Sequence, residues 1–259
     1  MKRLIAVMLM LLMLASLFGG CDIKQMVSKV YVNDAVMDTV QLYDVGSEIR
    51  SLNIKVNAAE LTIGQADRFM VQTNLRYVEV TENAGVLHIR EEVDHVSGYN
   101  GAKLTVFFPK DMEFESIAVE TAAGKLTADR LCTEKLKLDM GTGDTKIKYL
   151  SATTLADIDG GAGMITVGDG SLHNLDLELG VGKLELKAAL RGKCELKLGV
   201  GGADVTLLGT MDDYTLEMEK GIGKITVDGK EVTDFGLRGS GQNHIELEGG
   251  VGNVNLKFQ

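Results

Sequence analysis

The chain has 259 residues, 45% of them hydrophobic, and a formal net charge of −10. Such a chain lacks the clustered Lys and Arg that nucleic acids and anionic bilayers require, which argues against both as partners. It contains 31 Gly, one Pro and no Trp, and aromatic residues make up 5%. This composition does not suit an aromatic-lined sugar cleft, and it favours a repetitive β protein with many glycine turns.

The N-terminal segment predicts export. Lys2 and Arg3 precede an uncharged apolar run from Leu4 to Phe18, which is short for a membrane-spanning helix and typical of a signal peptide. The residues that follow, Gly19-Gly20-Cys21, resemble a bacterial lipobox. This resemblance implies a signal peptide over residues 1–20 and a lipid on Cys21, which would hold the chain at the outer face of the cytoplasmic membrane. The alternative is an ordinary signal cleaved near Gly20, with Cys21 as a free thiol.

Three segments stand outside the regular pattern. Residues 21–48 have a mixed polar composition and are predicted to form a tether and an N-terminal cap. The stretch EEVDHVSGYNG, residues 91–101, reads as an insertion loop. Residues 103–109, KLTVFFP, are predicted to form a strand that ends at the single proline. Residues 49–259, which include the last two of these segments, are expected to form one β-repeat domain.

A repeated phrase dominates this domain: an alternating apolar arm, a Gly-x-Gly, and a second alternating arm. The second glycines of the phrases are Gly124, Gly143, Gly163, Gly182, Gly201, Gly223 and Gly252. Apolar residues recur seven and five residues before this glycine (first arm) and two and four residues after it (second arm), as in Leu175, Leu177, Leu184 and Leu186. Looser copies surround Ala59 and Gly85, which brings the number of phrases to nine.

The spacing of the apolar residues predicts the architecture. Alternation within each arm is the period of a β-strand with one buried face. Between the arms the parity changes, so a straight strand would turn its second set of apolar side chains to solvent. The chain must therefore bend at the Gly-x-Gly, where glycine tolerates a positive φ. Corners about every 20 residues without an intervening helix predict an all-β fold, a β-solenoid of about eight or nine stacked coils.

The stacked coils also decide the state of the two remaining cysteines. Cys194 falls in an inward column, and Cys132 lies about three coils earlier, or about 14 Å away at the usual strand spacing. Since a disulfide requires Cα atoms within about 7 Å, we expect two buried free thiols.

The outward positions of the first arms are mostly acidic. The favoured interpretation is a solvated face that discourages aggregation. The alternative is a cationic partner or weak divalent binding: hard cations prefer several carboxylate oxygens, and the hypothesis is a Ca²⁺ or Mg²⁺ site along Asp157, Asp159, Asp176 and Glu178. No other cofactor is expected, because the four histidines show no metal-binding spacing.

The nine phrases, the KLTVFFPKD strand and the terminal GGVGNVNLKF resemble the bacterial putative-adhesin β-repeat family, also called toastrack-type domains, over roughly residues 40–259. The resemblance implies an extracytoplasmic β-repeat fold without catalytic residues. Some members are labelled adhesins, and others are tied to cell-envelope stress systems.

Three functions remain open at this point. The favoured one is a non-enzymatic, adhesin-like module that binds a cell-wall polymer, a host surface or an envelope protein through its flat sheets or insertion loop. The second is an accessory or sensor protein of the envelope stress response. The third is a glycan-active β-helix enzyme that would use Asp157 or Asp159, although the acidic face lacks an isolated carboxylate pair.

Overall fold

The computed structural model describes residues 34–46, 48–91, 98–233 and 236–259. The predicted signal peptide and Cys21 lie outside the described residues. Within them the chain is almost entirely β-strand and forms one 16-stranded sheet, which confirms the predicted all-β solenoid class. The described part of the chain contains no helix with the length and apolar character needed to cross a membrane.

The strands are β1 (Val36–Asp44), β2 (Ser51–Ala66), β3 (Met70–Leu75), β4 (Val78–Asn83), β5 (Val86–Glu91), β6 (Lys103–Pro109), β7 (Phe114–Val167), β8 (Gly170–His173), β9 (Leu175–Arg191), β10 (Lys193–Leu207), β11 (Tyr214–Ile222), β12 (Ile225–Val227), β13 (Lys230–Glu231), β14 (Arg238–Gly239), β15 (Asn243–Val251) and β16 (Val254–Phe258). A short 3-10 turn, Met211–Asp213, precedes β11.

The coils stack in parallel, with equivalent residues of the repeat side by side. Between β9 and β10, Leu177 pairs with Leu196 in the first arm and Leu184 with Ala203 in the second. All four side chains are buried. The apolar rows therefore run through the stack and form one continuous core, which a single coil could not enclose.

The seven predicted corner glycines all have positive φ angles, between 124° and 150°. Three of them lie within β7, a 54-residue strand that winds through successive coils without interruption. At each corner a Cβ atom would overlap a backbone carbonyl oxygen of the neighbouring coil, for example that of Gly182 beneath Gly201. Glycine is therefore required for two reasons: the backbone has a positive φ, and the coils approach too closely for a Cβ atom.

The phrase around Gly85 is not a coil corner, contrary to the sequence interpretation. β4 and β5 pair antiparallel, with Val80 opposite Ile89 and Asn83 opposite Val86. Ala84 and Gly85 have φ angles of 50° and 80°, the two positive values of a tight hairpin turn. β5 then pairs in parallel with the first arm of β2, and β6 pairs with the second arm.

The last coil of the chain is not the last coil of the stack. β15 pairs in parallel with β10 on one side and with β11 on the other, and β16 lies in the same way between β10 and β12. The corner glycines follow this order, since a Cβ on Gly252 would meet Gly201 and one on Gly223 would meet Gly252. The C-terminal coil is thus inserted between two coils that precede it in the sequence.

Antiparallel strands cover both ends of the stack. At one end β3 pairs with β6, and β1 pairs with β3. At the other end β13 pairs with β12, and the short β14 pairs with β11. The stack therefore does not end on a full-length parallel coil, which limits end-to-end strand pairing.

Cys132 and Cys194 are both buried and free, as predicted from the coil arithmetic. Burial raises the pKa of each thiol, because the thiolate would lose its hydration. Both side chains therefore remain neutral and pack as small apolar groups.

Thr145 is a polar residue in an otherwise apolar row of the core. Its hydroxyl is buried and has no hydrogen-bond partner among the described residues. The equivalent position holds Leu126, Ile165 and Leu184 in other coils, all of them buried. An unsatisfied buried hydroxyl destabilises the folded state.

We therefore expect Thr145→Val to increase the free energy of unfolding by about 1 kcal/mol, which raises Tm by about 2–4 °C in a domain of this size. Thermal melting followed by circular dichroism would measure the change. Thr133→Val is the matched control, because the buried Thr133 hydroxyl donates to the carbonyl oxygen of Lys135 at 3.0 Å. That substitution should leave Tm unchanged or lower it. A lower Tm for Thr145→Val would contradict the assignment.

Candidate functional site

The four residues predicted to bind a divalent cation lie on neighbouring strands. Asp157 pairs with Asp176, and Asp159 pairs with Glu178, across the outer face of the first arms of β7 and β9. This face is flat, and Asp159, Asp176 and Glu178 are exposed. The arrangement places these carboxylates side by side but does not enclose them in a cleft. Asp157 and Asp159, which were also the catalytic candidates, therefore do not lie in a cleft.

The closest grouping of acidic side chains in the described part of the chain lies further along the same face. One carboxylate oxygen from each of Glu195, Glu246 and Glu248 lies within 4.8 Å of the others. The sequence interpretation missed this group, because Glu246 reaches Glu195 only through the insertion of β15 next to β10. Cation binding by either set stays a prediction.

Lysines balance part of this acidic face. The Lys197 ammonium lies 2.6 Å from a carboxylate oxygen of Glu195, and this contact lowers the pKa of Glu195. Lys137 lies 3.4 Å from Asp157, and Lys193 lies 3.8 Å from Glu246. All three lysines are exposed and the carboxylates are at most partly buried, so each pair contributes little to stability. The carboxylates outnumber these lysines, and the face remains negative.

The outer face of the second arms carries a different array, a polar ladder that crosses five neighbouring strands. In spatial order it consists of Thr166, Glu185, Asp204, Asn255 and Thr226. Lys183 bridges Glu185 and Asp204 at 2.7 and 3.0 Å.

Hydrogen bonds link the far end of the ladder. The Asn255 amide donates to Asp204 at 2.9 Å, and the Thr226 hydroxyl donates to Asn255 at 2.9 Å. The Asn255 amide and Lys183 together hold the pKa of Asp204 below its usual value. Asp204 therefore stays ionised, and the ladder presents a fixed pattern of donors and acceptors.

This ladder forms one side of a shallow groove of about 610 Å³. A second row, in which Lys187 and Lys257 pair with Thr206 on either side, lies next to the ladder. The groove thus offers cations, hydroxyls and an amide together with carboxylates. Its described lining residues include no aromatic ring, so contacts with a ligand would be hydrogen bonds and ion pairs rather than ring stacking.

The sequence pattern indicated no site on this face. Its members could be read from the repeat, but Asn255 lies between Asp204 and Thr226 only because the last coil is inserted. No local signal in the sequence marks that neighbourhood. The register of the ladder is a property of the tertiary structure.

The predicted insertion loop is held at its described ends. The Tyr99 hydroxyl donates to Glu91 at 2.6 Å and accepts from the Asn57 side chain at 3.1 Å. Burial and the contact with Glu91 raise the pKa of Tyr99 to about 12, so the phenol stays protonated. Residues 92–97 lie outside the described residues.

A family model described as Toastrack DUF4097 matches residues 20–257 of the chain. Among solved structures, the chain is similar to a "putative adhesin" from Bacteroides fragilis, with 14% identity, a TM-score of 0.51, and 84% of this chain and 96% of that chain covered. A "putative adhesin" from Parabacteroides merdae has 10% identity, a TM-score of 0.45, and coverage of 84% and 95%. A "Putative lipid binding protein" from Parabacteroides distasonis has 12% identity, a TM-score of 0.35, and coverage of 85% and 98%. Comparison with curated proteins finds no match.

Proposed function

The chain belongs to the Toastrack DUF4097 family, and from this premise we propose that it is a lipid-anchored extracytoplasmic protein that acts as a non-enzymatic binding module. The polar groove on the second arms is the surface that we assign to binding. The word adhesin in the name of the Bacteroides fragilis protein belongs to that protein. For this chain the proposal rests on the groove.

The observation that carries the proposal is the in-register polar ladder. Five side chains from separate strands present their polar groups at the strand spacing of about 4.8 Å, and hydrogen bonds between Asp204, Asn255 and Thr226 hold them in place. A long, shallow, rigid surface of this kind suits an extended polar polymer better than a small molecule, which would need a concave pocket to bury most of its surface. A cell-wall polysaccharide is the class of ligand that we propose.

A single copy of the protein is expected to bind the polymer weakly, whereas many copies that contact the same polymer should bind it strongly. Without aromatic stacking, each contact is a solvent-exposed hydrogen bond or ion pair, and each contributes little. A lipid on Cys21 would place many copies on one membrane facing the same polymer, and this multivalency would raise the overall avidity. The lipid anchor and the groove would therefore both contribute to polymer binding.

The test displays the full chain on beads at high density and measures its retention of purified cell-wall polymer. Asn255→Ala should lower retention about fivefold, because it removes the group that links Asp204 to Thr226. Thr127→Ala is the matched control: Thr127 occupies the same row of the repeat outside the groove, and its loss should leave retention unchanged. In cells, Cys21→Ser should move the protein out of the membrane fraction.

Equal retention by Asn255→Ala and the unsubstituted chain would contradict the assignment to the groove. Retention of no wall or host polymer, together with co-purification of a membrane protein from detergent extracts, would replace the adhesin-like function with that of an envelope-stress accessory. Turnover of the polymer that is lost in Asp157→Asn or Asp159→Asn would identify an enzyme instead.

A further inference from the structure

A row of exposed apolar side chains runs along the corner edge of the stack. The middle residues of successive Gly-x-Gly corners pair in the order Val181, Val200, Val251 and Ile222. Their exposed fractions are 54%, 51%, 46% and 74%. We call these four residues the corner ridge. Scattered single apolar residues on a surface are ordinary, whereas four in a continuous row form a candidate interaction surface.

The ridge is confined to one half of the stack. The same corner position holds Ala58, Ala123 and Thr142 in the coils on the other side, where no large apolar side chain is exposed at a described corner. The inserted coil sets the order within the ridge, because Val251 lies between Val200 and Ile222.

The acidic face of the first arms adjoins the ridge in the same coils. Glu178, Glu248 and Lys197 line a hollow of about 270 Å³ between the carboxylates and the corner glycines. Lys197 pairs with Glu195 and Lys193 with Glu246, whereas no ion pair among the described residues includes Glu178 or Glu248. The outward first-arm positions of the four ridge coils hold one lysine, Lys197, among seven carboxylates, whereas those of the other four coils hold Lys55 and Lys137 among only four carboxylates. Apolar ridge and negative charge therefore coincide.

We propose that the corner ridge and the adjoining carboxylates bind a cationic amphipathic helix of a partner protein. Charge complementarity selects the basic partner: its Lys side chains would lie with their aliphatic stems over the hollow and their ammonium groups on Glu178 and Glu248. The apolar stripe of the helix would cover the ridge. This surface is separate from the polar groove, so the inference goes beyond the proposed polymer binding.

The dimensions of the ridge fit a helix. Four strands at about 4.8 Å span about 14 Å, which corresponds to about ten residues of α-helix at 1.5 Å per residue. The apolar positions of an amphipathic helix recur every three to four residues, or about 5 Å along its axis. This repeat nearly matches the strand spacing over the four ridge residues. An extended strand, whose side chains on one face recur at about 6.8 Å, would lose the match.

The probe is a fluorescent 14-residue peptide with Leu on one helical face and Lys on the other, and fluorescence anisotropy with the full chain is the measurement. Two control peptides accompany it, one with Glu in place of Lys and one with the same residues in shuffled order. The Leu/Lys peptide should bind at least about tenfold more tightly than either control. Its affinity should fall as salt rises, because the charged groups are exposed.

Two pairs of chain variants separate the apolar and charged contributions. Val181→Ser with Val200→Ser should weaken binding about tenfold, whereas the control pair Val40→Ser with Leu42→Ser, somewhat more exposed and on β1, should not. Glu178→Gln with Glu248→Gln should weaken binding and reduce its dependence on salt. The control for charge is Glu60→Gln with Glu79→Gln, which lie in the other half of the stack.

Equal binding of the Lys and Glu peptides, or unchanged binding by the ridge variants, would overturn the inference. So would self-association of the chain that depends on Val181 and Val200, since the ridge would then be an interface between two copies. The groove variant Asn255→Ala should bind the peptide normally, which keeps this result independent of the polymer assay.

Discussion

Gly201→Ala is expected to lower the free energy of unfolding by at least about 3–5 kcal/mol. Two effects add. Gly201 has a φ of 142°, in a region essentially restricted to glycine, and an L-residue held there costs roughly 1–3 kcal/mol. In addition, the new Cβ would overlap the carbonyl oxygen of Gly182 in the neighbouring coil. A backbone atom cannot move aside by a rotamer change, so the coils would have to separate and lose the parallel hydrogen bonds between β9 and β10.

The matched control is the next residue. Gly202 has no positive φ, and a Cβ there would have its nearest neighbour, the carbonyl oxygen of Asn253, at 3.4 Å. Gly202→Ala should therefore change the free energy of unfolding by less than about 1 kcal/mol, since alanine is tolerated where the backbone is extended. Urea unfolding of both variants measures the difference. Equal stabilities would contradict the assignment of Gly201 as an obligatory corner.

Deletion of residues 242–259 is expected to have a still larger effect. The segment contains β15 and β16, whose Ile245, Leu247, Val254 and Leu256 are all buried. Because this coil lies between β10 and the β11–β12 coil, its removal breaks two interfaces in the interior of the stack, whereas loss of a terminal coil would break one. Burial of the four side chains alone corresponds to roughly 6–12 kcal/mol, comparable to the whole stability of an ordinary domain.

Hydrogen exchange would show which strands lose amide protection in the shortened chain. Those amides of β10 that hydrogen-bond to the deleted coil, such as that of Ala203 to Asn253, should lose their protection, those bonded to β9 should keep it, and β11 should become unprotected along its length. Full protection of β10 in the shortened chain would mean that β11 had docked directly onto it. That result would contradict the predicted loss.

Paired cysteines test the coil order without any deletion. Glu195 and Glu246 are direct strand partners, and Glu217 lies beyond Glu246. A disulfide requires Cα atoms within about 7 Å, and two strand spacings exceed that limit. Glu195→Cys with Glu246→Cys should therefore form a cross-link under mild oxidation, whereas Glu195→Cys with Glu217→Cys should not. The opposite pattern would show that the coils stack in chain order.

The inserted coil connects the structure to both proposed binding surfaces. It places Asn255 in the polar ladder, Val251 in the corner ridge and Glu246 beside Glu195. A point substitution in this coil can therefore change a binding surface formed largely by residues far away in the sequence.

Within each coil, the sequence by itself determined which side chains face inward and where the chain turns. Alternation of apolar residues is a local property, and Leu175, Leu177, Leu184 and Leu186 are buried as the period requires. The positive φ at a corner is equally local, and only glycine adopts it without strain. These features depend on residues a few positions apart, so they can be predicted from the local sequence.

Only the tertiary structure decided which coils are neighbours and which repeated phrase is a hairpin. Every first arm presents a similar apolar row, so the pattern does not distinguish β11 from β15 as the partner of β10. The same ambiguity applies to Gly85: a two-residue hairpin that sets Val80 opposite Ile89 changes the parity of the apolar residues just as a coil corner does. Strand order is selected by hydrogen bonds and packing between distant segments. Because the repeat makes those segments alike, the sequence does not show which of them are neighbours.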